Sequence, residues 1–395
     1  MKGVSPKLGR VGSAVSLVVV AACGTSPLTA EELAPVVERD AVPIPGPEIP
    51  AKVLDLLDDY EVVVVGETHL IGEQREFTAA VVRGMHDRGV RQLLLEWPHF
   101  ADWVVDNYVM DGPIDDPWQP PLWGYGDLMT AIRDFNRSLP EEERVHVRLI
   151  DANLDNYGGA SEFRASIRGL TRHLGGASPI DDLLVAEYES PTAQTVALET
   201  AREELSAQRP ELEAQWGEAS YEMVDEMVEV ELASVEIRSL GSSEMAARAR
   251  EPEIMRLTDL RLSEEEGGSV INIGGNHAQK KRIRGTDHEW LGDYLVHRSP
   301  QAGSVIVLGC FPALVVSSGG ATIDYDLMDE SPEHELLRIM SETWPDVVVF
   351  LALDDVVFGS GVSINIEGRI TTGALGETYD AVVLLPVGHQ IPLPS

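Results

Sequence analysis

Four consecutive valines, Val62-Val63-Val64-Val65, run directly into Gly66-Glu67-Thr68-His69. A β-branched run without alternation predicts a strand buried on both faces, as in parallel sheets covered by helices. Glu67 and His69 then emerge at the carboxyl end of that strand, the edge at which open α/β sheets bind ligands. The pattern recurs. Leu93-Leu94-Leu95 precedes Glu96, the run from Val145 to Ile150 precedes Asp151, and Val270-Ile271-Asn272-Ile273 precedes Gly274-Gly275-Asn276-His277. Apolar runs that stop repeatedly at His or carboxylate predict one shared polar site along a sheet edge.

The segments between these runs supply the crossovers. Glu73 to Arg88 carries Phe77, Ala80, Val81 and Met85 at helical spacing and stops at Gly89, so the first two strands are predicted parallel, with Glu96 on the strand neighbouring Glu67. Trp103 to Tyr108 reads as a helix, and Asp127 as the cap of another with Leu128, Ala131, Ile132 and Phe135 on one face. From about residue 160 to 262 the chain reads as helical, with Met223, Met227, Val230 and Val235 as a core stripe. Strand signals resume at Ser269 to Ile273, Ser304 to Leu308, Val347 to Leu353 and Ala381 to Leu385. The predicted fold class is α/β: a mainly parallel sheet flanked by helices, with a helical insertion that forms a lid or subdomain.

The amino terminus is read apart from the body. Lys2, Lys7 and Arg10 form a basic front, Val11 to Ala22 is apolar but too short to span a bilayer, and Val20-Ala21-Ala22-Cys23 resembles a bacterial lipobox. Residues 1–23 are thus expected to be a lipoprotein signal peptide, with Cys23 lipidated and the protein exported to the cell envelope on a membrane anchor. Residues 24–50, with Pro27, Pro35, Pro43, Pro45, Pro47 and Pro50, are expected to be an extended tether, and residues 51–395 the folded body. Cys310 is then the one thiol left, and its apolar context predicts a buried, inert side chain. A net charge of -36, from 66 acidic against 30 basic residues, opposes nucleic-acid binding.

Missing signatures narrow the chemistry. The sequence has no His-Glu-x-x-His, no Gly-x-Ser-x-Gly elbow, no Walker loop and no Cys-x-x-Cys. What remains is a histidine and carboxylate site. His69, Glu67, Glu96 and His277 are the catalytic candidates, suited to taking a proton from water and returning one to the reacting group. Asp151 and Arg250 are candidates for substrate binding, with Arg250 facing an anionic part. Lys280, Lys281, Arg282 and Arg284 form a basic cluster that either steers an anion or offsets acidic neighbours. Were a divalent metal bound, His69, His277 and Glu67 would be its ligands.

These motifs resemble the superfamily that includes erythromycin esterase-like proteins, ChaN-type haem-binding lipoproteins, and the TraB and Tiki proteins. Gly66-Glu67-Thr68-His69 looks like the opening Gly-Glu-x-His motif, Leu95-Glu96 like the strand that follows, and Gly275-Asn276-His277-Ala278 like the late His motif. Arg133 to Asn136, Arg148 to Asp151, Arg250 to Met255, Leu291 to Leu295 and Tyr379 to Val382 follow the order of the esterase branch. The resemblance implies Glu67, His69, Glu96, Arg250 and His277 as the functional set. It implies an esterase-like hydrolase, or, from the other branches, a lipoprotein that binds haem or a metal without catalysis, or a metal-dependent protease. For haem, Tyr108, Tyr125 and Tyr157 are the available tyrosines. The partner expected is a small-molecule substrate or haem, with the membrane reached through the lipid anchor.

Overall fold

A computed structural model describes residues 30–112, 125–154, 159–175, 188–240, 243–282, 288–324, 332–353, 362–366, 369–373 and 375–391. Its centre is an eight-stranded sheet in the order β1-β9-β12-β6-β2-β5-β3-β4. These strands are β1 (Val42–Ile44), β2 (Val62–Glu67), β3 (Val90–Pro98), β4 (His146–Asp151), β5 (Gly268–Gly274), β6 (Val305–Pro312), β9 (Val348–Ala352) and β12 (Ala381–Leu385). From β12 to β4 all pairings are parallel, and β9 and β1 close the other side antiparallel. The mainly parallel α/β body predicted from sequence is what forms.

β2 lies in the middle because its sequence permits nothing else. Val63 and Val65 enter one hydrophobic cluster, with Phe77, Val81, Leu93 and Leu95. Val62 and Val64 enter the other, with Leu94, Ile271, Ile254 and Leu257. None of the four valines is more than 1% exposed. Burying each contributes about 1.5–3 kcal/mol, so the four together hold the strand firmly against any shift that would expose one of them. The helix Gly72–His86 covers the first face, and the helices Ser243–Glu264, Leu291–His297 and Pro332–Thr343 contribute to the second.

Several expectations change. β2 and β3 are parallel but not neighbours, because β5 inserts between them; Glu96 therefore reaches the site across β5. Residues 30–50 are not an extended tether. Ala30–Asp40 is a helix despite Pro35, β1 pairs with β9, and Ile44 and Ile49 are buried, so the apolar residues between the prolines pull this segment onto the sheet. Asp127 does not cap its helix, which begins at Gly126 with no side-chain cap. Asp127 instead places its charge in the first turn, where the helix dipole favours an acid. The strand around Val347 runs against β12. The signal segment with Cys23, Tyr157 and Arg284 lie outside the described residues. Among the described residues no helix is long and apolar enough to cross a membrane.

The insertion is helical as predicted: Gly159–His173, Pro191–Ala207, Arg209–Trp216, Glu218–Arg238 and Ser243–Glu264. Met227, Val230 and Val235 are buried, so the stripe is core. A carboxylate anchors this unit to the sheet. Glu231 is fully buried and accepts from Asn153 Nδ2 at 2.9 Å, Gln194 Nε2 at 2.8 Å and Arg238 Nη2 at 2.6 Å. Asn153 stands two residues past the end of β4, so the insertion is tied down beside the sheet's carboxyl edge. Removing Glu231 breaks a buried ion pair with Arg238 and leaves the Asn153 and Gln194 amides without their acceptor; Glu231→Ala is expected to lower unfolding free energy by about 3–5 kcal/mol, read from urea denaturation.

Candidate functional site

The carboxyl ends of β2, β3, β4 and β5 lie side by side, and the predicted residues gather there. Glu67 closes β2, opposite Gly274 of β5. Glu96 falls where the β3–β4 register breaks between Leu95 and Pro98, an irregularity that re-aims a side chain. Asp151 ends β4, and His277 sits in the short turn of helix Gly275–Ala278 after β5. Arg250 and Glu251 arrive from the helix Ser243–Glu264. Two glycines let these pieces close. A Cβ on Gly66 would stand 2.8 Å from Ala278 Cβ, so its absence lets the His277 turn pack on β2. A Cβ on Gly274 would stand 2.7 Å from His69 Nε2 and 3.1 Å from Glu96 Oε2.

Glu67 is buried and fully engaged. Oε1 accepts from the Tyr125 hydroxyl and lies 3.0 Å from His69 Nδ1, and Oε2 accepts from Asn272 Nδ2 at 2.7 Å. Asn272 is fixed in turn by the Thr78 hydroxyl, which donates to its Oδ1 at 2.7 Å. Burial and the Glu67 charge hold the Tyr125 phenol well above its usual pKa, so it stays a donor. The His69 ring is more than half exposed while its Nδ1 is held. That hydrogen bond to Glu67, with the charge of Glu96, outweighs desolvation and pushes the His69 pKa up to about 9.

The second half of the site centres on Arg250. Its Nε and Nη2 reach Asp151 Oδ1 and Oδ2, each at 2.6 Å, and Nη2 also donates to Glu96 Oε1. Glu96 Oε2 accepts from the Gly274 N–H at 2.6 Å. Burial pushes the Glu96 carboxyl up, but His277, Arg250 and His69 together with the Gly274 N–H overcome this and bring its pKa to about 2. His277 Nε2 lies 3.4 Å from Glu96 Oε1, and its Nδ1 is bonded to Glu251. Burial disfavours the His277 cation, yet Glu96 and Glu251 outweigh it and raise the pKa. The Trp290 ring stands edge-on to His277, centroids 5.0 Å apart.

Glu67, His69, Glu96, Arg250 and His277 are therefore brought together. Asp151 is present but 1% exposed, with both oxygens on Arg250, so it positions the guanidinium and does not itself face a ligand. Burial raises its pKa and Arg250 opposes that rise. Two residues escaped the sequence reading as parts of this site, Asn272 and Glu251, and a third, Tyr125, was named there only as a candidate for haem. Asn272 had a signal, being the one polar residue in Val270-Ile271-Asn272-Ile273. Lys280, Lys281 and Arg282 pair with Asp380, Glu377 and Asp293, so they offset acidic neighbours and do not form a free steering patch. Cys310 is buried, and burial pushes its thiol up, as expected of an inert side chain.

The donor set does not suit a metal ion. Among the described residues no three His, Cys, Asp or Glu side chains form a group that could hold one. Of the expected ligands, Glu67 is taken up by Tyr125, Asn272 and His69, and His277 Nδ1 by Glu251, while Arg250 occupies Glu96 and Asp151. Of the tyrosines named for haem, the two that are described, Tyr108 and Tyr125, are buried with their hydroxyls bonded to Thr130 and Glu67.

The loop after β2 is held from a distance. Leu70 has φ 66°, and its carbonyl accepts from Ile391 N–H at 2.8 Å. His389 N–H donates to Glu73 Oε2 at 2.7 Å, while β13 (Gly388–His389) pairs with β7 (Leu314–Val316), which pairs with β8 (Thr322–Asp324). This strap fixes the backbone on which His69 rides.

Gly274 isolates the importance of His69's place. The residue has φ -52° and ψ 140°, so alanine fits the backbone and collides chiefly with an exposed imidazole that can swing aside. Gly274→Ala is expected to change stability by less than about 1 kcal/mol but to push the His69 ring off Glu67, so that the ring titrates at lower pH than in the wild type. Thermal melts alongside an NMR titration of the His69 ring check this; an unmoved titration would mean that the ring does not pack against Gly274.

No sequence-family profile and no curated protein matches the chain. Solved structures do. A Bacillus cereus protein superposes with a TM-score of 0.65 at 14% identity, covering 93% of this chain and 100% of its own. A succinoglycan biosynthesis protein gives a TM-score of 0.64 at 10% identity, covering 91% and 97%. A mutant of the erythromycin esterase EreC, in its open conformation, gives 0.58 at 15% identity, covering 87% and 95%. At these identities the likeness speaks for architecture alone. The chain has the erythromycin esterase-like fold.

Proposed function

We propose that this protein is a hydrolase that adds water across an ester, lactone or amide bond, with His69 as general base. One observation carries the reading. Two imidazoles, His69 on Glu67 and His277 on Glu251, are each held through Nδ1 on either side of the Glu96–Arg250 pair, at the sheet edge where ligands bind. Anchoring Nδ1 leaves Nε2 as the working nitrogen. His69 Nε2 takes a proton from water as the water oxygen attacks the carbonyl carbon. Positive charge on His277 and Arg250 meets the charge that develops on the carbonyl oxygen. Tyr125 and Asn272 keep Glu67 in place, so the imidazole is oriented before substrate arrives.

The base works only when neutral. Because Glu67 raises the His69 pKa, the neutral fraction is small at pH 7 and grows as pH rises; kcat/KM is expected to climb with pH through about 9. His69→Ala should lose about 10²–10⁴ in kcat/KM and flatten that limb. A panel of esters, lactones and amides assayed from pH 6 to 10 provides the test. A variant as active as wild type on a substrate wild type hydrolyses would end this assignment.

We further propose, from the amino terminus alone, that the protein is exported to the cell envelope and anchored by a lipid on Cys23. The support is the basic front, short apolar run and small residues before that cysteine. Expression of the full chain in bacteria fed an alkyne fatty acid should label the wild type and not Cys23→Ser, with the wild type sedimenting with membranes. Equal labelling of both would overturn the anchor.

A further inference from the structure

Glu251 follows Arg250 in the chain, and the sequence assigned it no role of its own. It is 1% exposed, Oε1 holds His277 Nδ1, and Oε2 has no hydrogen-bond partner among the described residues. A buried carboxylate with one oxygen unsatisfied is costly, so its charge must be offset nearby. The partner that offsets it is the imidazole. Groups of both signs face that ring: Glu251 and Arg250 from the helix Ser243–Glu264, and Glu96 from β3. Trp290 packs edge-on against it, limiting ring rotation.

The placement of Glu251 has a structural logic. Arg250 and Glu251 are consecutive, and successive helix positions point roughly 100° apart. One helix turn therefore addresses β3 and β4 with a cation and the turn after β5 with an anion. Pro252 follows immediately inside the helix, removing one helical hydrogen bond at this point.

We propose that Glu251 is a positioning residue that makes His277 the proton donor to the leaving group, so that the site works with one carboxylate-held imidazole as base and a second as acid. The inference rests on the hydrolase reading above. In the reaction, the O–H bond of water breaks as its proton passes to His69 Nε2, and the water oxygen bonds to the carbonyl carbon. The bond from that carbon to the leaving oxygen or nitrogen then breaks, and the electron pair takes the proton from His277 Nε2. His69 releases its proton to solvent and His277 regains one, so the net change is the addition of one water.

The test exploits leaving-group chemistry. An alkoxide needs a proton to depart, whereas p-nitrophenolate does not. Glu251→Gln keeps the shape and removes the charge. It is expected to lower kcat on an alkyl ester about 10- to 100-fold, with KM changed less than about 3-fold and the p-nitrophenyl ester spared. The NMR titration of the His277 ring should move to lower pH by about one unit or more. Glu251→Asp, which keeps the charge, should restore part of the alkyl-ester rate; a purely packing role makes Gln the better replacement instead. Equal losses on both esters, or an unmoved His277 titration in a folded variant, would overturn the proposal. Should wild type cleave neither ester, the hydrolase reading and the leaving-group role fail together. The titration would still decide whether Glu251 governs the proton affinity of His277.

Discussion

A guanidinium held between two buried carboxylates organises this protein. Arg250 binds Asp151 through two parallel hydrogen bonds and shares Nη2 with Glu96. Carboxylates at the ends of adjacent strands β3 and β4 would repel each other in a low-dielectric interior, and at roughly 4 Å the repulsion is about 4 kcal/mol even at an effective dielectric of 20. The cation between them turns that cost into attraction. It comes from the helix Ser243–Glu264, so the insertion is joined electrostatically to the edge it covers. The aim of Glu251 at His277 depends on that docking.

The site leans acidic, as the chain as a whole does. Glu67, Glu96, Asp151 and Glu251 face Arg250, His69 and His277, so four acids share three groups able to carry positive charge. Excess carboxylate explains why both imidazoles bind their protons more firmly than a free histidine does.

Much of this was legible from residue order. The valine run specified a two-face strand, because any other arrangement would expose one of its side chains, and apolar runs ending in acid or histidine located Glu67, Glu96, Asp151 and His277 on one edge. Sheet order was less accessible. β5 enters between β2 and β3 after the insertion, and no local pattern encodes which strand a distant segment will pair with. The prolines of residues 30–50 suggested an open tether, yet Val37, Ile44 and Ile49 bury themselves in the body. Buried area outweighed local backbone preference. Glu251 and Tyr125 were illegible as site residues because a glutamate in an acidic helix and a tyrosine beside a loop carry no distinguishing spacing.

The strap across the loop after β2 has a consequence for how the protein comes to be. His389 meets Glu73 over 316 positions of sequence, and Ile391 holds the carbonyl of Leu70 beside His69. Contacts over such separations form late, since the loop they close must first lose its freedom. A ribosome presents the valine strand and its Glu-Thr-His long before the segment that pins them. The loop that carries His69 is thus pinned only once synthesis has passed residue 391, so a nascent chain held short of that point can have most of its sheet while this corner of the site is still loose.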